Sequence, residues 1–358
     1  MHRRSLPIRA LPSRSRPAGA RPARPIPTRA GLATATIALV LAGCASADGD
    51  GDGGLRVAVL AASSQNGYNQ AVHEGVQQAI DEHDADVEVQ LLDGQFDANT
   101  QLSQMQNAST SGEYDGVIVV PHDGPSLAAA FPLANDIPVV TVLNPIGPDI
   151  NEMEPQVEGV VSTVAVPPAE AAARQAEAVA EHCTGIDPCR VVLLVGQLSS
   201  PLDVAREEAY REVLEPEDNI EIVATAEGQY DRDESLTAIS NVLQSNQDVD
   251  VILSNADQQT SGAQIALENA GIDPSEVYLT GGGGTEDAIT AVREGTWQAD
   301  YVNFPVSMGA AAFEQLHAAM TGDDVETWVD ADAVGDIEPY VTKEILDEHP
   351  DFTGEWNG

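Results

Sequence analysis

The chain has 358 residues, of which 42% are hydrophobic and 4% aromatic, and its 58 Asp+Glu against 16 Lys+Arg set a formal net charge of −42. That length has room for two domains rather than one, and the apolar fraction is ordinary for a globular protein. The excess of acid repels phosphate backbones and anionic headgroups, which argues against nucleic acid and bare lipid surfaces as partners.

The charge is unevenly placed. Residues 1–43 hold eight arginines and no acid, which leaves 8 basic against 58 acidic residues beyond Gly43, a formal −50 with Lys343 as the only lysine. Two readings of these acids stand: a field that selects cationic ligands, or a solvated coat suited to concentrated salt, where screening acts within about 3 Å at 1 M. Behind the arginines, an apolar run from Ala30 to Ala42 ends in Gly43 and Cys44. A charged start, a short apolar stretch and small residues at its end form a secretory signal. The run is shorter than the roughly 20 residues of a spanning helix. Leu41-Ala42-Gly43-Cys44 resembles a bacterial lipobox. That resemblance implies a lipoprotein signal peptide over 1–43, with Cys44 lipidated as the new N-terminus. An ordinary signal peptide or an uncleaved anchor is the alternative, and each puts the remainder outside the cytoplasm.

Residues 44–54 are rich in Asp and Gly and read as a flexible tether, reaching roughly 18 Å as a coil. Asp48, Asp50 and Asp52 imitate a calcium loop, but Val59 stands where its bidentate Glu belongs. From Leu55 onward, short runs of Val, Ile and Leu alternate with helix-length segments. Val57–Leu60, Val87–Leu92, Gly116–Val120 and Val139–Leu143 predict strands, with helices over Tyr68–His83, Asn99–Ser111 and Ser126–Ala134. The rhythm then restarts. Helices over Pro168–Cys183, Leu202–Leu214, Ser235–Ser245 and Gln258–Ala270 alternate with strands over Arg190–Val195, Ile220–Ala226, Val249–Ser254 and Val277–Thr280. Near-continuous apolar strands separated by helices mean parallel sheets covered on both faces. Two such units predict an α/β protein of two doubly wound lobes, with ligands beyond the carboxyl ends of the strands.

No Gly-x-Ser-x-Gly elbow, His-Glu-x-x-His pair or Walker A loop occurs in the sequence. Gly281–Gly284 follows a strand, but Glu286 and Asp287 stand where pyrophosphate would need a bare helix N-terminus. No enzyme activity, cofactor or metal is therefore expected. Cys183 and Cys189 flank a short turn. Outside the cell a disulfide is the default; a metal site with His182 is the alternative, but it lacks a fourth ligand nearby.

The strand ends carry a more telling set. Ser63-Ser64-Gln65-Asn66-Gly67-Tyr68 follows strand one, Pro121-His122-Asp123 follows strand three, and Asn144-Pro145 follows strand four. Ala205-Arg206-Glu207-Glu208, Gly228-Gln229-Tyr230-Asp231-Arg232 and Asn255-Ala256-Asp257 come later. In order and spacing, residues 55–320 resemble the periplasmic sugar-binding proteins of ABC importers, the ribose- and galactose-binding type I family. The resemblance implies two Rossmann-like lobes joined by a three-crossing hinge near Ser162–Thr163, Asn303–Phe304 and Asp330–Asp332. The N-terminal lobe would be 55–162 plus 304–331, and the C-terminal lobe 163–303 plus 332–358.

The positions matching that family's pocket are Asn66, Tyr68, Asn144, Arg206, Tyr230, Asn255, Asp257 and Asn303. The chemistry suits a sugar: aromatic rings cover apolar C–H faces, and planar amide, carboxylate or guanidinium groups each hold two hydroxyls. Asp257 reads equally well as the N-cap of the helix over 258–270. The chain departs from the family at Leu143-Asn144-Pro145, where Asp-Arg is common, and at Gly283, where an Asp is usual. The resemblance implies a monomeric, lipid-anchored receptor on the outer face of the membrane. It would hand a sugar-like polyol, or another small polar solute, to an ABC transporter permease. A ligand sensor feeding a membrane receptor is the alternative.

Overall fold

The computed structural model describes residues 54–133 and 137–358; the expected signal peptide over 1–43, Cys44 and the expected tether up to Gly53 lie outside the described residues. Runs of Val, Ile and Leu become strands because β-branched side chains pack well on a pleated surface, and they assemble two six-stranded sheets.

The first sheet begins with β1 (Leu55–Ala61), β2 (Val87–Asp93), β3 (Gly116–Val119), β4 (Val139–Val142) and β5 (Val160–Ala165), with α1 (Gly67–Glu82), α2 (Ala98–Thr110) and α3 (Gly124–Leu127) between them. After α4 (Pro168–His182), the second takes β6 (Cys189–Val195), β7 (Ile220–Glu227), β8 (Val251–Ser254), β9 (Tyr278–Gly282) and β10 (Ala299–Tyr301), linked by α5 (Pro201–Leu214), α6 (Arg232–Ser245), α7 (Asp257–Ala270) and α8 (Glu286–Glu294). The chain then returns to the first unit as α9 (Pro305–Thr321) and β11 (Trp328–Asp330), and to the second as β12 (Tyr340–Thr342) and α10 (Lys343–Glu348). Strand orders are β11-β5-β4-β3-β1-β2 and β12-β10-β9-β8-β6-β7. Only β12 runs antiparallel to its neighbour.

The central strands of each sheet are buried on both faces, as their unbroken apolar runs require. In β1, Val57 and Val59 face α1 and α9, packing with Val72, Val76, Phe313 and Leu316. Ala58 and Leu60 point the other way, to Met105, Ala108 and Leu127. The α1–α9 contact is unusually close. A Cβ on Gly75 would lie 1.8 Å from the Val306 carbonyl oxygen, and one on Gly309 would lie 2.0 Å from that of Val72. Only glycine allows the two backbones to approach this far.

Three details differ from the sequence reading. The helix expected over 126–134 is α only to Leu127 and continues as a 3-10 helix over Ala128–Leu133, because Pro132 has no amide hydrogen for a continuing α-helix. Ser162 and Thr163 lie inside β5, opposite Val140 and Thr141 of β4, so the chain leaves the first sheet only after Ala165. The C-terminal remainder joins the second sheet through β12, but Glu355 bonds back to Val306 and Ser307 at the start of α9. Far from these crossings, buried Cys183 and Cys189 are joined by a disulfide, Cα–Cα 5.6 Å, between α4 and β6. His182 instead packs at a tilt against Tyr278, ring centroids 4.4 Å apart and planes at 38°. Among the described residues, no helix is long and apolar enough to cross a membrane.

Candidate functional site

The carboxyl ends of both sheets face one cleft of about 620 Å³, counted to its open mouth. Its walls come from the ends of β1, β3, β4, β6, β8 and β9, through Ala62, Val120, Leu143, Ser200, Asn255 and Gly282. Asn66, Tyr68, Arg206, Tyr230, Asn255 and Asn303 all line it.

On the first-lobe side, Asn66 caps α1: its Oδ1 accepts from the amide of Asn69, and from Asn69 Nδ2 at 3.0 Å. Asn69 Oδ1 in turn accepts from the Ala62 amide at 2.9 Å, tying the loop to β1. Tyr68 donates its hydroxyl to Met308 Sδ at 3.2 Å, and burial pushes its pKa up.

On the second-lobe side the organiser is Asp203, fully buried in the first turn of α5. Its Oδ1 accepts from Tyr230 Oη at 2.5 Å and Asn255 Nδ2 at 2.7 Å, and its Oδ2 from the Gln197 amide at 2.6 Å. Arg206, one turn along α5, lies 3.5 Å from Asp203 Oδ1 and donates to Tyr230 Oη at 3.3 Å. Burial opposes the charge of Arg206, yet Tyr230 and Asp203 beside it hold its pKa above the ordinary value. Burial and the Asp203 carboxylate likewise push the Tyr230 hydroxyl well up. Charge is balanced within the wall, and none of the cleft-lining side chains is a carboxylate.

Two loops cross the mouth from opposite lobes. Gly94-Gln95-Phe96-Asp97 follows β2, and Gly228-Gln229-Tyr230-Asp231 follows β7. In both, the glutamine and the aromatic residue take left-handed φ, between 52° and 57°, and the aspartate caps the next helix. Leu143, also in the wall, has φ 75°. Non-glycine residues held in this region are costly and concentrate at ligand clamps. The Phe96 and Tyr230 rings stack, with centroids 6.0 Å apart and planes at 20°. His122 packs edge-on against Phe96 at 5.9 Å, and burial lowers its pKa. Its carbonyl accepts from Ser200 Oγ at 3.1 Å, a bond from one lobe to the other.

Two expected contacts turn away. Asn144 is buried and donates from Nδ2 to the Pro121 carbonyl at 3.1 Å, bracing two loops; its neighbour Leu143 takes the wall. Asp257 is the first residue of α7, behind the N-cap Ala256, and its Oδ2 accepts from the Thr285 amide at 2.8 Å. Its Oδ1 and that of Asp300 are otherwise unpartnered, and both lie 2.7 Å from where a Gly281 Cβ would stand. Asp300 Oδ2 accepts from the Gly284 amide at 2.9 Å. Burial raises the pKa of both carboxyls, Asp300 well above its ordinary value, which favours the protonated form of Asp300. The pair pins the loop over 283–285 through the Gly284 and Thr285 amides.

Residues 57–324 match the periplasmic binding protein domain. The chain belongs to the periplasmic binding protein family. Among relatives, it is 23% identical over 248 residues to a ribose import binding protein of Bacillus subtilis, covering 68% of this chain and 75% of that one. It is 27% identical over 260 residues to a xylitol-binding protein of Mycolicibacterium smegmatis, covering 70% and 67%. A Bacillus halodurans solute binding protein solved with bound myo-inositol superposes with a TM-score of 0.71 at 23% identity, covering 83% of this chain and 97% of that one.

Phe96, His122 and Trp356 also line the cleft and were not among the residues expected there. The repeated Gly-Gln-aromatic-Asp signature marked Phe96 in the sequence as the counterpart of Tyr230. Trp356 carries no comparable signal, since it reaches the cleft by tertiary docking of the C-terminal tail.

Proposed function

We propose that this periplasmic binding protein works outside the cytoplasm as a monomer, tethered through lipidated Cys44. It captures a small uncharged polyol, a sugar or cyclitol, and delivers it unaltered to an ABC transporter permease. Residues 304–331 complete the N-terminal lobe, and the three crossings act as the hinge on which the lobes close. Closure favoured by differential affinity for the guest is the signal the permease reads.

One observation carries this reading. Stacked aromatic rings, amides and a charge-compensated guanidinium converge on a cleft with no carboxylate in its lining. Rings cover C–H faces, and the planar polar groups hold hydroxyl pairs. A cation would find no counter-charge in the wall, and a free anion would compete with Asp203 for Arg206. Xylitol, ribose and myo-inositol, bound by relatives according to their names, are all neutral polyols.

Thermal-shift and calorimetric titration with ribose, xylitol and myo-inositol, beside an amine and a dicarboxylate, tests the reading. Stabilisation by at least one neutral polyol, and by neither charged solute, is the expected result. Stabilisation by only the charged solutes overturns it.

A further inference from the structure

The last residues of the chain form part of the cleft. Trp356 is 5% exposed and seated in the second lobe: its Nε1 donates to the Gly283 carbonyl at 2.8 Å, and its own carbonyl accepts from the Glu286 amide at 3.0 Å. A parallel bridge pairs it with Thr285. Its ring meets Tyr68 of the first lobe edge-on, centroids 5.9 Å apart and planes at 88°. The preceding residue reaches the first lobe directly. Glu355 Oε2 accepts from the amides of Val306 and Ser307, each at 3.1 Å, and its Oε1 accepts from Ser307 Oγ. The helix α9 has no side-chain cap of its own at Phe304 and no acid in its first turn, so the tail supplies the acceptor that its free amides need.

The chain makes room for this arrangement at three glycines. A Cβ on Gly283 would stand 3.0 Å from the Trp356 ring, and one on Gly67 would stand 3.1 Å from it. A Cβ on Gly354 would fall 2.3 Å from the Gly284 carbonyl oxygen.

We propose that Trp356 is a specificity-determining residue of the cleft and that Glu355 is the positioning residue that ties it to both lobes. This rests on the reading of the cleft as a polyol site. The only polar atom of the indole is committed to Gly283, and the Tyr68 hydroxyl to Met308. The two rings therefore present carbon to the guest. They favour a solute with a C–H or methyl edge on that side, while Arg206, Asn255 and Asn303 take its hydroxyls.

Two independent readouts test this. In amide hydrogen exchange on the full protein, Glu355→Ala should speed exchange at Val306 and Ser307 about tenfold, with remote core amides unchanged. In calorimetry with the tightest of ribose, xylitol and myo-inositol, Trp356→Leu should weaken binding about tenfold and Trp356→Phe should largely restore it. If Trp356→Leu binds like the unmodified protein, the assignment of Trp356 is wrong. Unchanged exchange in Glu355→Ala overturns the proposal whether or not a polyol binds. If exchange responds but no polyol binds the unmodified protein, the polyol reading and the Trp356 assignment resting on it both fail, and only the anchoring of the tail stands.

Discussion

Phe96 and Tyr230 lie face to face across the mouth of the cleft, one from each lobe, at 6.0 Å and 20°. They occupy the same position in two four-residue loops of matching sequence and backbone. Each loop supplies one ring of the pair.

Phe96→Ala should therefore weaken polyol binding about tenfold, since an aromatic pair contributes about 0.5–1.5 kcal/mol beyond its buried area. The expected loss appears in the dissociation rate, measured by stopped-flow fluorescence, with the melting temperature nearly unchanged. A variant that unfolds, or one that binds normally, contradicts the assignment.

Asp203 is buried behind the cleft lining, where it holds Arg206, Tyr230 and Asn255. Asp203→Ala leaves the Arg206 charge buried without its partner and strips Tyr230 and Asn255 of an acceptor. Removing one member of a buried pair costs about 3–5 kcal/mol, so urea denaturation should show a large loss. Arg206→Met should cost less, because Asp203 keeps Tyr230, Asn255 and the Gln197 amide as donors, yet it should still abolish polyol binding.

The Asp257–Asp300 pair makes stability depend on pH in a defined direction. The folded pKa of Asp300 is raised, so its contribution is complete below the unfolded carboxyl value of about 3.9 and is lost as pH rises through the folded value. Asp300→Asn keeps an acceptor for Gly284 and offers Asp257 an N–H in place of a carboxyl proton. Melting curves across that range should fall less steeply with pH for the variant than for the unmodified protein. Parallel curves would rule out a raised pKa at Asp300.

Replacing Cys183 and Cys189 by Ala should lower stability by about 2 kcal/mol, as expected for so short a loop. The bond sits at the amino end of β6, at the opposite end of the strand from the cleft, so polyol affinity should be unchanged. Urea curves and a matched titration check both halves of this statement.

The architecture was legible because parallel sheets leave unbroken apolar runs, and these marked the strands from Val57 to Thr280 except β5, whose Ser162 and Thr163 interrupt the run and read as a crossing between lobes. Beyond that point β10, β11 and β12 are three residues each, too short for a pattern to form. The site was legible where a residue is fixed by its own loop: Asn66 and Tyr68 at the start of α1, Arg206 on α5, Tyr230 after β7. It was not legible where direction is set by a distant partner. Asn144 turns to Pro121, Asp257 turns to the loop pinned with Asp300, and Leu143 and Trp356 fill space that no local pattern assigns to them.

The return of α9 and β11 to the first sheet has a consequence for how the chain is made. A nascent polypeptide must emit more than 160 residues beyond Ala165 before the last strand of that sheet, Trp328–Asp330, exists. Until α9 has been made, Val57, Val59, Ile118, Val140 and Val142 lack the Phe313 and Leu316 side chains that cover them. A fragment cut after Ala165 would carry that bare apolar face and an unpaired strand edge, a surface prone to aggregate. The two halves of this protein cannot be harvested as separate folding units by cutting once.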